Sequence, residues 1–153
     1  MGYRDSQLIL SDEQAVTSTA ISTNVYDLQS EDQTNALQNI GVGEDMYLVV
    51  ETVDAATDSG SDATLTVTLE SAENAALSTN AAVHATTGAM AFAAFSPAGT
   101  KLMRLRLPEN IDYKRYLGVR FTVGSGPLTA GKFNAYLAKD IENTKAYKSG
   151  FTV

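Results

Sequence analysis

The most regular patterning in the chain is Thr64-Leu65-Thr66-Val67-Thr68-Leu69, which alternates with the two-residue period of a half-buried strand. Ahead of it, Met46-Tyr47-Leu48-Val49-Val50-Glu51-Thr52-Val53 is a dense β-branched and aromatic run entered past Gly41 and Gly43. The stretch 54–62 between them is small, acidic and glycine-bearing. The two runs therefore read as paired strands joined by a solvent-facing connection, the centre of a sheet core. Later in the chain, 116–123 places Leu117, Val119, Phe121 and Val123 on one face, and 132–138 does the same with Phe133, Ala135 and Leu137. The run 101–107 also alternates, with Leu102, Leu105 and Leu107 as the inward positions across a register change near Met103.

Shorter runs fill in around these. An edge strand is expected at 8–10, a strand at 25–28, and two more at 83–86 and 89–95, separated by Thr87-Gly88. Ser96-Pro97-Ala98-Gly99 is a turn signal, and Pro108 ends the strand before it. Ser11 and Gln14 have the spacing of a helix capping box, but the Thr-rich, β-branched continuation from Val16 leaves room for at most one helical turn. The polar segments 29–39 and 73–80 read as exposed loops. About eight strands at short spacing, with no long helix, predict an all-β sandwich or barrel over 1–142, followed by a polar, basic tail over 143–153.

A chain of 153 residues fits one domain, which at that size buries roughly 70% of the surface its unfolded form exposes. With no cysteine, disulfides and thiolate metal sites are excluded, which suits assembly in a reducing cytoplasm. The longest apolar runs fall far short of the ~20 residues of a membrane-spanning helix, and no export signal pattern is expected at the N-terminus. A formal charge of -7 opposes nucleic-acid binding and gives no support for docking on an anionic membrane.

Each motif that suggests chemistry lacks part of what that chemistry requires. Gly126 to Lys132 has the spacing of a phosphate-binding loop, but Phe133 stands where a Ser or Thr would hold magnesium, and the segment opens a strand rather than a helix, so it reads as a hairpin loop. Asp54, Asp58 and Asp62 recur every fourth residue, whereas calcium loops place ligands at alternate positions and close with a glutamate. His84 is the only histidine, it lies in an expected strand, and no nucleophile elbow is present near it. The carboxylate pairs Glu44 with Asp45 and Asp140 with Glu142 sit beside turns, where acids are ordinary. No catalytic, cofactor-binding or metal-ligating residue is therefore assigned, and the chain is not expected to be an enzyme. The remaining candidates are in the tail, where Lys145, Tyr147, Lys148 and Phe151 could order on a partner.

Several stretches occur together in a recognisable order. They are Leu10-Ser11-Asp12-Glu13-Gln14-Ala15-Val16-Thr17, Ser22-Thr23-Asn24-Val25-Tyr26-Asp27-Leu28, and Ile40-Gly41-Val42-Gly43-Glu44 running into Tyr47-Leu48-Val49-Val50. Arg115-Tyr116-Leu117 and Phe121-Thr122-Val123-Gly124-Ser125-Gly126-Pro127-Leu128-Thr129-Ala130-Gly131 follow. In this order the chain resembles the capsid cement, or decoration, proteins of short-tailed bacteriophages, the type found on Bordetella phage. The resemblance implies a jelly-roll β-sandwich on the outside of the virion capsid, bridging neighbouring major capsid protein subunits without catalysis. A homo-oligomer, dimer or trimer, is expected because a closed two-fold or three-fold assembly matches the symmetry axes of such a shell, and no cofactor is expected. The segment 29–39 looks longer than the family's usual connection, and the tail after Ile141 has no matching counterpart. An alternative from another class is a carbohydrate-binding β-sandwich of a viral fibre or secreted enzyme, in which Tyr26, Tyr113, Tyr116 and Tyr136 would stack on sugar rings. The absence of Trp weighs against it.

Overall fold

A computed structural model describes residues 5–29, 40, 43, 45–109 and 111–139. A 3-10 turn at Ser6–Leu8 leads into the strands β1 (Ile9–Ala15), β2 (Ala20–Ile21), β3 (Tyr26–Asp27), β4 (Tyr47–Thr57), β5 (Thr64–Ala72), β6 (Ala82–Thr86) and β7 (Met90–Ala91). A single helical turn, α1 (Phe92–Phe95), then precedes β8 (Lys101–Arg106), β9 (Tyr116–Gly124) and β10 (Ala130–Ala138). The strands form two antiparallel sheets. One has the order β1-β10-β4-β8, and the other β2-β9-β5-β6, with β3 also on β9 and β7 also on β5.

β2 and β3 run along the same neighbour, Ala20 opposite Phe121 and Tyr26 opposite Leu117, so they are two pieces of one interrupted strand. β6 and β7 stand in the same relation along β5. Counting each interrupted strand once turns the ten segments into eight, and the chain then changes sheet at every connection except β5 to β6. That is a jelly roll, the eight-strand double Greek key.

The core lies between the sheets. From β4 it takes Leu48 and Val50, from β5 Leu65, Val67 and Leu69, from β9 Leu117, Val119 and Phe121, and from β10 Phe133, Ala135 and Leu137. Each set is one face of an alternating strand, which is why the sequence pattern found them. Phe121 and Phe133 meet across the gap with ring centroids 5.5 Å apart.

Several expectations are corrected. β4 and β5 do not pair; they lie in opposite sheets, where β4 is hydrogen-bonded on its two edges to β10 and β8, and β5 to β9 and to β6 and β7, so neither has an edge left for the other. The stretch 126–132 likewise is not a hairpin: the connection 125–129 crosses between sheets before β10 begins at Ala130, and Leu128 is buried there, its N–H donating to the Thr17 carbonyl at 2.9 Å. The strand expected over 89–95 stops at Ala91, and 92–95 is helical, so that Phe95 plugs the core while its carbonyl accepts from Thr52 Oγ1 at 2.7 Å. In β8 the buried position is Met103, with Leu102 and Leu105 half-buried beside the core and Leu107 fully buried beyond the strand. Ser11 and Gln14 do hydrogen-bond, at 2.6 Å, but inside a bulged β1 where Glu13 takes a φ of 45°, not at a helix start. The expected loop over 29–39 falls, past Gln29, outside the described residues, as do Glu44, Asp140, Glu142 and the tail.

Candidate interaction surface

The four tail residues named from sequence, Lys145, Tyr147, Lys148 and Phe151, lie outside the described residues. The described residues present the two outer faces of the sandwich, its ends and its strand edges.

Across the outer face of the first sheet runs a polar row that touches all four strands. The Glu13 N–H of β1 donates to Asn134 Oδ1 of β10 at 2.7 Å, and Asn134 Nδ2 donates to Glu51 Oε1 of β4 at 3.3 Å. Lys101 of β8 pairs with the other Glu51 oxygen. Asn134 and Glu51 are nearly inaccessible, so the row has to be satisfied internally, and it is. Beside it lies an apolar row, Ile9, Tyr136 and Val49 in register, with Arg104 opposite Val49 on β8. Lys132 reaches Asp54 at 3.1 Å and Glu13 at 3.6 Å, and Arg106 reaches Asp45 at 2.6 Å. The carboxylates beside Lys132, Asp54 first, hold its ammonium above the ordinary lysine range.

The outer face of the second sheet is lined by Thr64, Thr66, Thr68 and Thr122, and at one end the connection 73–80 folds down over it. Arg120 Nε donates to both Glu70 oxygens, and Arg120 also donates to the Leu77 carbonyl at 2.7 Å. Leu77 is buried against Gly118, where an added Cβ would stand 2.8 Å from Leu77 Cδ1 and 2.9 Å from Val25 Cγ1. Glycine is therefore needed at 118 for close approach, although its backbone is ordinary strand. Asp27 and Arg115 close the far corner; the Arg115 guanidinium beside Asp27 holds its carboxyl below the usual carboxylate range.

His84 sits at the open side of the sandwich. Its Nε2 lies 2.6 Å from Ser71 Oγ, which also accepts the Lys114 N–H at 3.0 Å, and its ring meets Tyr113 edge-on with centroids 4.7 Å apart. A hydroxyl has one donor and two acceptor sites, so Ser71 Oγ can take the Lys114 N–H and still either donate to Nε2 or accept from it, according to the ring tautomer. Burial, and then the Lys114 charge, push the His84 pKa down, which favours the neutral ring. Tyr113, whose hydroxyl donates to the Pro108 carbonyl at 2.8 Å, is pushed up to about 12 by burial. Ser71 is fully buried, so this Ser–His contact fastens the 107–115 connection to β5 and β6 and presents no accessible nucleophile.

The three loop acids do not converge. Asp54 is in β4 with Lys132, and Asp58 Oδ2 accepts the N–H groups of Asp62 and Ala63 at 3.1 Å each, closing the turn and lowering its own pKa through those bonds, Ala63 first. Among the described residues no group of three or more His, Cys, Asp or Glu is placed to hold a metal ion. No described helix is long and apolar enough to cross a membrane. The four tyrosines point to different places: Tyr26 and Tyr113 pack against the core, Tyr116 lies under Arg115 at 4.9 Å, and Tyr136 is on the outer face of the first sheet. Sequence reasoning missed Asn134, Glu51, Glu70 and Arg120 as an internal framework; the signal was present as single polar residues inside otherwise apolar strands.

The family model Bbp16 matches residues 10–137, which takes in the jelly roll from the second residue of β1 to the penultimate residue of β10. No curated protein matches the chain.

Proposed function

The chain belongs to the Bbp16 family, a name that matches a Bordetella phage protein family, and from that premise we propose that it is a virion structural protein, a capsid cement protein. It binds the outside of an icosahedral phage shell and bridges neighbouring major capsid protein subunits. The observation that carries this reading is the family match over residues 10–137, which span the jelly roll that the sequence resemblance implied.

The physics of the role is differential binding. A clamp that engages two neighbouring subunits stabilises the closed lattice because it binds the assembled arrangement and not the separated subunits. Each contact can be modest, on the order of 800 Å² per partner or less, since a homo-oligomer engages repeatedly. A rigid sandwich with internally satisfied polar rows on both outer faces offers firm surfaces for such contacts. The charge of -7 suits an exterior position, away from the genome. In this reading the protein is not an enzyme and needs no cofactor. The dispersal of Tyr26, Tyr113, Tyr116 and Tyr136 gives the carbohydrate-binding alternative no shared stacking platform.

The test is co-sedimentation. Purified protein is mixed with mature shells lacking it and the shells are pelleted. Saturable recovery in the pellet is the expected result, and failure to pellet at saturating protein sinks the proposal.

A further inference from the structure

His84 of β6 lies where three elements meet. Ser71 Oγ of β5 is 2.6 Å from its Nε2, and Tyr113, in the stretch 111–115 that leads into β9, meets its ring edge-on. Three ties fasten that stretch to this side of the second sheet. The Lys114 N–H donates to Ser71 Oγ at 3.0 Å, the Tyr113 ring rests on His84, and the Lys114 ammonium donates to the Asn80 carbonyl. Two of the three therefore bear on the Ser71–His84 pair. β6 is held more firmly, in a ladder with β5 that runs from Thr68 opposite Thr86 to Ser71 opposite Ala82.

The charges around the ring are one-sided. On the stretch 111–115, Lys114 is the cation that acts on it, Tyr113 stays neutral because burial lifts its pKa to about 12, and Asp112 is exposed to water. On β5, the Glu70 carboxylate is held by Arg120 and Thr68 on the outer face of the sheet. In the connection 73–80, Glu73 accepts from Asn80 Nδ2 at 3.0 Å. β6 has no formally charged residue. The ring is thus bonded to a neutral hydroxyl and flanked by a positive charge, so a proton added to it makes a second cation in a half-buried place.

We propose that His84 is an acid-released clasp: neutral, it holds Tyr113 and Lys114 of the stretch 111–115 against β5 and β6, and protonated, it drives them off while the two sheets stay closed over their core. The repulsion is relieved at this stretch because it hangs on few bonds, and moving it both hydrates the imidazolium and takes Lys114 away. The clasp is a property of the isolated chain, so it stands or falls apart from shell binding.

The test is amide hydrogen exchange of the full chain, followed by NMR from pH about 7.5 to about 5, with the His84 ring shift recorded in the same samples. Lys114 N–H is the reporter, since Ser71 Oγ is its acceptor. After correction for the intrinsic exchange rate, its opening constant is expected to be flat above pH ~6.5 and to rise about tenfold per pH unit below, the slope of one proton, until the ring titrates in the closed state. It is also expected to exceed the opening constants of the β5–β9 ladder amides at least about tenfold, the sign of a local opening. His84→Gln keeps a polar partner for Ser71 without a titrating group, and is expected to make the Lys114 opening constant independent of pH. A flat wild-type profile overturns the proposal. So does a Lys114 opening constant no greater than that of the ladder, or the wild-type slope persisting in His84→Gln.

Discussion

Arg120 Nε straddles the carboxylate of Glu70, 2.9 Å from one oxygen and 3.1 Å from the other, across neighbouring strands of the second sheet. Thr68 Oγ1 donates to the same carboxylate at 2.7 Å, and Arg120 carries the link on to the Leu77 carbonyl. Removing the guanidinium leaves Glu70 charged, nearly inaccessible and short of a partner. Breaking a fully buried pair in this way costs ~3–5 kcal/mol; because Arg120 keeps some exposure, Arg120→Ala is expected to cost about 2 kcal/mol. The midpoint of thermal unfolding should then fall by roughly 4–8 °C. A fall under about one degree would show that solvent replaces the guanidinium freely.

Gly118 supports the same corner by having no side chain. Gly118→Ala places a methyl within 3 Å of Leu77 and Val25, and overpacking of this kind costs about 1–3 kcal/mol. The double variant Gly118→Ala with Leu77→Ala should lose less stability than the sum of the two single changes, since the smaller residue makes room. Additivity measured by denaturant unfolding would refute the steric account.

On the first sheet, Asn134→Leu removes the acceptor for Glu13 N–H and the amide that bonds Glu51. An unsatisfied buried group costs about 1–3 kcal/mol, so a loss in that range is expected, with faster amide exchange at Glu13 as the local sign. Unchanged exchange at Glu13 would detach Asn134 from the β1 bulge.

His84 gives stability a pH dependence. Its folded pKa lies below the unfolded value of about 6.5, so below that value the unfolded chain takes up a proton that the folded chain refuses. The contribution is fully present above pH ~6.5 and is lost as pH falls from there through the folded pKa. His84→Gln should flatten this part of the stability curve while leaving the loss at carboxylate pH. An unchanged slope just below neutrality would overturn the neutral-histidine assignment.

For the tail, deletion of 143–153 is expected to weaken shell attachment or oligomerisation more than folding. The check is the thermal midpoint set against the shell affinity and solution mass of the truncated chain. Unchanged affinity and mass would remove Lys145, Tyr147, Lys148 and Phe151 as partner-contacting residues.

Local patterning made several elements legible in the sequence. Strict alternation exposed the buried faces of β9 and β10, where Leu117, Val119, Phe121, Phe133, Ala135 and Leu137 all lie inside. Alternation gives the face of a strand but not its neighbour. β4 and β5 are joined by a short acidic turn and still enter different sheets. Ser11 and Gln14 show the same limit, since their spacing fixes a side-chain bond without fixing whether a helix or a bulged strand makes it.

By itself, the sequence determined an all-β chain, its core faces, the absence of thiolate chemistry and a resemblance to phage cement proteins, because period, composition and motif order are properties of the string. Tertiary structure decided the jelly-roll crossings, the polar row through Asn134 and Glu51 and the clasp of His84 on Ser71. Each of these depends on residues far apart in the chain that meet only when two sheets close over one core.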